Sequence, residues 1–152
     1  MKLWIDTEFN EFRGDLISLA LVDETGREFY EVLPCAKPGN WVAANVMPIL
    51  NKPPISPGEM QRRLQNWLMW YDSVHVIADW PEDIEHFCRV LIAGPGLRIN
   101  TPPLTMEVRR DLSGQSQLPH NALADAKANR LAYMELPTPA TTTSSSGGEK
   151  NG

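Results

Sequence analysis

Residues 2–33, KLWIDTEFNEFRGDLISLALVDETGREFYEVL, decide the architecture of this chain. Three runs within it, 2–8 (KLWIDTE), 15–23 (DLISLALVD) and 27–33 (REFYEVL), are rich in Leu, Ile, Val and aromatic residues and read as strands. Glu24-Thr25-Gly26 supplies the glycine of a tight hairpin turn between the second and third runs. An antiparallel three-stranded unit therefore opens the fold.

Outward from that unit, residues 40–50 (NWVAANVMPIL) form a weak helix that Pro48 cuts short. Ser56-Pro57-Gly58-Glu59 has the arrangement of a capping box with proline at the first helical position. Behind it Met60, Leu64, Trp67, Leu68 and Tyr71 recur at helical spacing, so one face is core. Residues 74–78 (VHVIA) form a short strand feeding a helix over 81–93, with Ile84, Phe87, Val90 and Leu91 on its buried face. Residues 95–119 read as loop, with a short strand near Leu97–Ile99 and a helical turn around Met106–Leu112. The alanine-rich stretch 120–135 is a helix with Leu123, Ala124, Leu131 and Ala132 as candidate core positions. This order predicts an α/β fold with a mixed five-stranded sheet flanked by helices. A catalytic domain is expected over 1–136, and a disordered tail over 137–152, which lacks large apolar residues.

Composition narrows the function. With 152 residues, 42% of them hydrophobic, the chain can bury one core. Cys35 and Cys88 belong to no zinc-spaced cluster and read as reduced thiols. MKLWIDTEF lacks the basic start and apolar core of a signal peptide, and no run approaches the roughly 20 apolar residues of a membrane span. A cytoplasmic protein without membrane contact is expected. The net charge of −5 argues against a general nucleic-acid coat, although divalent ions can invert the sign of an acidic cleft.

Asp6 and Glu8 lie two apart in a strand, so their side chains share one face. Adjacent carboxylates repel and raise each other's pKa, and Mg²⁺, which favours carboxylate and water oxygens, relieves that repulsion. A lone D-x-E also suits the solvated end of an edge strand. Asp83 and Asp125 stand near the starts of two helices, where acids complement the helix dipole as well as serving metals. His120, at the loop-to-helix junction Pro119-His120-Asn121, has the pKa range to accept a proton from water.

Asp6-Thr7-Glu8 in a first strand, an acid at a strand-to-helix junction, and His120-x-x-x-x-Asp125 together resemble the DEDDh 3′-to-5′ exonucleases of the ribonuclease H-like superfamily. The runs DTEF, LISLALVDETGREFY, NWVAANVMPIL and HNALADAK are similar to a small group of exoribonucleases from mycobacteria, other bacteria and phage. The resemblance covers about residues 1–135 and implies a ribonuclease H-like fold. It implies two Mg²⁺ or Mn²⁺ ions: Asp6, Glu8 and Asp125 on one, Asp6 bridging to the other, Asp83 on the second, and His120 as general base. Where the family writes Asn-x-x-x-Asp, this chain has Asp79-Trp80-Pro81-Glu82-Asp83. Register with Ile84–Phe87 favours Asp83 as ligand and leaves Asp79 at the asparagine position.

The expected reaction is hydrolysis of single-stranded RNA from its 3′ end to nucleoside 5′-monophosphates. A DNA exonuclease of the same chemistry, an inactive relative that binds nucleic-acid ends or a protein, and a metal-independent glycosidase using Glu8 are the competing expectations. Thr7, Phe9 and Trp80 are candidates for meeting the terminal nucleotide by hydrogen bond and stacking, and equally for core packing. Arg109 and Arg110 are candidates for phosphate contacts, or a solvated charge pair. By analogy with DEDDh relatives a homodimer is expected.

Overall fold

A computed structural model of the chain describes residues 1–137. All of the expected tail except Pro137 lies outside the described residues. Strands β1 (Lys2–Phe9), β2 (Leu16–Asp23) and β3 (Glu28–Val32) form the antiparallel unit. The β2–β3 turn is fixed by Asp23, whose Oδ1 accepts from Thr25 N at 2.8 Å, Thr25 Oγ1 at 2.7 Å and Arg27 N at 2.9 Å. Gly26 takes φ +89° there, a conformation that favours glycine.

Beyond β3 come α1 (Asn40–Asn45), a 3₁₀ turn over Met47–Ile49 that contains Pro48, and α2 (Pro57–Leu68). Ser56 Oγ accepts from Glu59 N at 3.2 Å, which is one half of a capping box. The reciprocal half is missing, because the Glu59 carboxylate binds Arg62 and Arg63 instead. Ser56→Ala should therefore lower stability by only about 1 kcal/mol, measured by urea unfolding, because a single cap bond is at stake.

The remaining described elements are β4 (Val74–Ala78), α3 (Pro81–Leu91), a small hairpin of β5 (Ile92–Gly94) and β6 (Leu97–Arg98), β7 (Leu104–Val108) and α4 (Ala122–Glu135). The main sheet is five-stranded and mixed, ordered β3-β2-β1-β4-β7, with β4 parallel to both β1 and β7. Of the helical turn expected around Met106–Leu112, the first three residues belong to β7 and only Arg110–Asp111 form a turn, closed by Leu112 N on Arg109 O. Leu104, Met106 and Val108 alternate with Thr105 and Glu107, and pairing with β4 from Val74↔Leu104 to Ala78↔Val108 overrides the helix preference of Met and Glu.

Helices α2 and α3 cover one sheet face, where Leu3, Ile5, Leu19, Leu21 and Val76 meet Met60, Leu64, Leu68 and Phe87. On the opposite face Ala20 and Val22 meet Ala122 and Ala126 of α4, and Trp4 and Ile77 pack with Tyr133. The expected core position Leu131 is 56% exposed, and α4 instead buries Ala122, Ala126, Ala128 and Asn129. Small side chains let this helix lie close to the strand that carries Asp6 and Glu8. No helix among the described residues is long and apolar enough to cross a membrane. Cys35 and Cys88 are free thiols.

Candidate active site

Cross-strand register fixes which way the acids point. Trp4 pairs with Val22, Asp6 with Ala20 and Glu8 with Ser18, so all six share the face covered by α4. On β4, Ile77 pairs with Trp4 and occupies that same face. Two residues on in each strand come Asp6 and Asp79, which continue the parallel alignment past the end of β4.

Asp125 descends onto this face from the first turn of α4. That turn is capped by Asn121, whose Oδ1 accepts from Ala124 N at 3.1 Å and whose Nδ2 donates to Ile49 O at 2.8 Å. Asp83 comes from the first turn of α3. Its Oδ1 accepts from Thr7 N at 3.0 Å and from Thr7 Oγ1 at 2.7 Å.

The acids converge in two overlapping groups. Carboxylate oxygens of Asp6, Glu8 and Asp125 lie within 4.8 Å of one another, and so do those of Asp6, Asp79 and Asp83. Asp6 belongs to both. Among the described residues, no lysine or arginine forms a salt bridge with any of the five. Burial, then Asp83, Glu8, Asp125 and Asp79, hold the Asp6 carboxyl well above the usual carboxylate range. Burial, followed by Asp125 and Asp83, pushes Glu8 to about 8. Burial also raises Asp83, to about 7, with Asp79 adding to the shift and the Thr7 bonds opposing it. Asp125 is raised chiefly by burial, opposed in part by Ser116 and the His120 N–H.

Asp83 Oδ2 and Asp125 Oδ1 are buried without a hydrogen-bond partner. Such atoms are costly unless something positive meets them. An all-carboxylate donor set without protein cations fits hard divalent ions such as Mg²⁺ or Mn²⁺. A cleft of about 360 Å³ opens beside the acids, lined by Asp6, Asp79, Asp125, Asn129 and the 114–119 loop.

The other predicted residues fall at different distances from this centre. His120 is exposed, at φ +68°, with its N–H donated to Asp125 Oδ2 at 3.0 Å. Its imidazole stands edge-on to the exposed Trp41, ring centroids 4.8 Å apart, at the rim of the acids. Thr7 is 5% exposed, and both its N–H and its hydroxyl are committed to Asp83. Phe9 packs on His86, ring centroids 4.9 Å apart. Trp80 is 46% exposed, and the Arg110 guanidinium lies over its ring at 4.5 Å.

The structure does not bring Arg109 to the acids. It forms a two-point ion pair with Asp111, at 2.8 and 2.6 Å, and lies over Tyr133. Its neighbour Arg110 is the nearer cation, donating to the backbone oxygen of Asp79. Asn121, Asn129 and the 114–119 loop were not legible as site residues. Only the position of Asn121 just before an alanine-rich helix carries a signal, that of an N-cap.

No family model matches this chain. Two proteins named 3′-5′ exoribonuclease, from Mycobacterium tuberculosis strains CDC 1551 and H37Rv, are each 30% identical to it over 148 aligned positions. The alignment covers 84% of this chain and 88% of each relative. By that extent of similarity, the chain belongs to the 3′-5′ exoribonuclease family of these mycobacterial proteins.

Proposed function

We propose that this protein is a DEDDh exonuclease that hydrolyses single-stranded RNA from the 3′ end and releases nucleoside 5′-monophosphates. The observation that carries the reading is the sharing of Asp6 between two carboxylate groups that have no protein cation of their own. Family membership supports RNA as the substrate.

Asp6, Glu8 and Asp125 would hold one Mg²⁺ or Mn²⁺ ion, and Asp6 with Asp83 the second. Bound there, the ions supply Lewis acidity and positive charge where the cleaved phosphodiester accumulates negative charge. A ring nitrogen of His120 accepts a proton from the attacking water. The water oxygen joins phosphorus, the bond from phosphorus to the preceding 3′ oxygen breaks, and that oxygen leaves with a proton. Anchoring of the His120 N–H on Asp125 keeps the base beside the carboxylate group it serves. Phe9 and Trp80 offer aromatic surface to the terminal base, and Arg110 a cation near the entering phosphates.

Matched RNA and DNA oligonucleotides, labelled at the 5′ end, test this directly. A ladder that shortens from the 3′ end of RNA, stops with EDTA and resumes with excess Mn²⁺ is the expected result. Cleavage that ignores EDTA would exclude the metal-dependent reading, and DNA digested faster than RNA would reassign the substrate.

A further inference from the structure

We infer that Asp79 is a third protein ligand of the second cation pocket, acting together with Asp83 rather than as its alternative. The inference rests on the two-ion reading above and departs from the Asn-x-x-x-Asp pattern that the sequence resembles, where this position is a neutral asparagine.

Two independent features of the fold bring the three acids together. Asp79 leaves the end of β4 on the α4 face and continues the parallel alignment that pairs Ile77 with Trp4, so it comes to rest beside Asp6. Asp83 arrives from the first turn of α3, and oxygens of all three acids lie within 4.8 Å of one another. Asp83 is 2% exposed, its Oδ1 is occupied by Thr7, and its Oδ2 is buried with no partner. That orphaned oxygen marks a position where a positive ligand belongs.

The surroundings of Asp79 leave its carboxylate available. The Arg110 guanidinium is directed to the Asp79 backbone oxygen and the Trp80 ring, so it braces the chain without forming an ion pair with the side chain. Its position fixes the backbone from which the acid projects. An asparagine here would keep one oxygen donor and lose the charge. The aspartate therefore raises the anionic charge of the pocket, which tightens divalent binding.

The test is a Mn²⁺ titration of the full chain, followed by the electron paramagnetic resonance signal of free Mn²⁺ and by calorimetry, for wild type and Asp79→Asn. Wild type should bind two ions. In Asp79→Asn one class should be unchanged and the other weakened by on the order of tenfold or more. The substitution is isosteric at a half-buried site, and an unchanged circular dichroism spectrum and thermal midpoint in EDTA would show that the fold is kept. Two ions bound with wild-type affinity by Asp79→Asn would overturn the inference and leave the two-ion reading intact. A wild type that binds a single ion would overturn both.

Discussion

Asp6→Asn should lower turnover of 3′-end RNA by on the order of 10³-fold or more at saturating Mn²⁺, while making the metal-free protein more stable than wild type. The two effects share one cause. Asp6 is the acid common to both carboxylate groups, so under the proposed two-ion reading neutralising it weakens both cation positions at once. The same acid, buried beside Asp83, Glu8, Asp125 and Asp79, carries the cost of their repulsion whenever no cation is bound. A neutral amide of equal size removes that repulsion without opening a cavity. Single-turnover cleavage together with thermal melts in EDTA gives both readouts. Undiminished cleavage by the variant would mean that these acids do not perform the chemistry. It would then favour a binder of RNA ends or another catalytic centre. Loss of cleavage with a lower metal-free melting temperature would instead mark Asp6 as a structural residue.

How much of this was legible in the sequence depended on the range of the interaction involved. The strands over 2–33 were readable because runs rich in Leu, Ile, Val and aromatic residues are local signals, and the two-residue period of a strand places Asp6 and Glu8 on one face. Helix α2 declared itself through Ser56 and its apolar stripe. The fifth strand did not, because Leu104–Val108 is an edge strand whose pairing with β4 is set thirty residues away in the chain. Leu131 was misplaced for a similar reason: in an alanine-rich helix the face that approaches the sheet most closely is the one with the smallest side chains. At the site, helical register singled out Asp83 but could not show that Asp79 joins it, since one is delivered by a helix start and the other by strand alignment. Arg109 and Arg110 are neighbours in sequence yet face different surroundings, Tyr133 for one and Trp80 for the other. Only tertiary pairing resolves such choices.

The same clustered acids set a dependence on pH whose sign reverses with metal. In the folded, metal-free protein Glu8 is pushed to about 8 and Asp83 to about 7, and Asp6 is also raised. These carboxyls hold their protons more tightly folded than unfolded, so between about pH 4 and about pH 8 unfolding releases protons and stability falls as pH rises. With shifts of this size the loss is on the order of a few kcal/mol, or roughly 10 °C in melting temperature for a domain of this length. Divalent ions bind the ionised carboxylates, so their affinity and the stabilisation they confer grow over the same interval. Melting curves in EDTA should therefore drop from about pH 5 to about pH 8, whereas curves in saturating Mn²⁺ should stay level or rise, with the gap widest at the alkaline end. Asp6→Asn should flatten the EDTA series, because it removes the charge at the centre of the cluster. Parallel slopes with and without Mn²⁺ would show that protons and cations do not compete for these oxygens. The cluster would then owe its place in the fold to something other than metal binding.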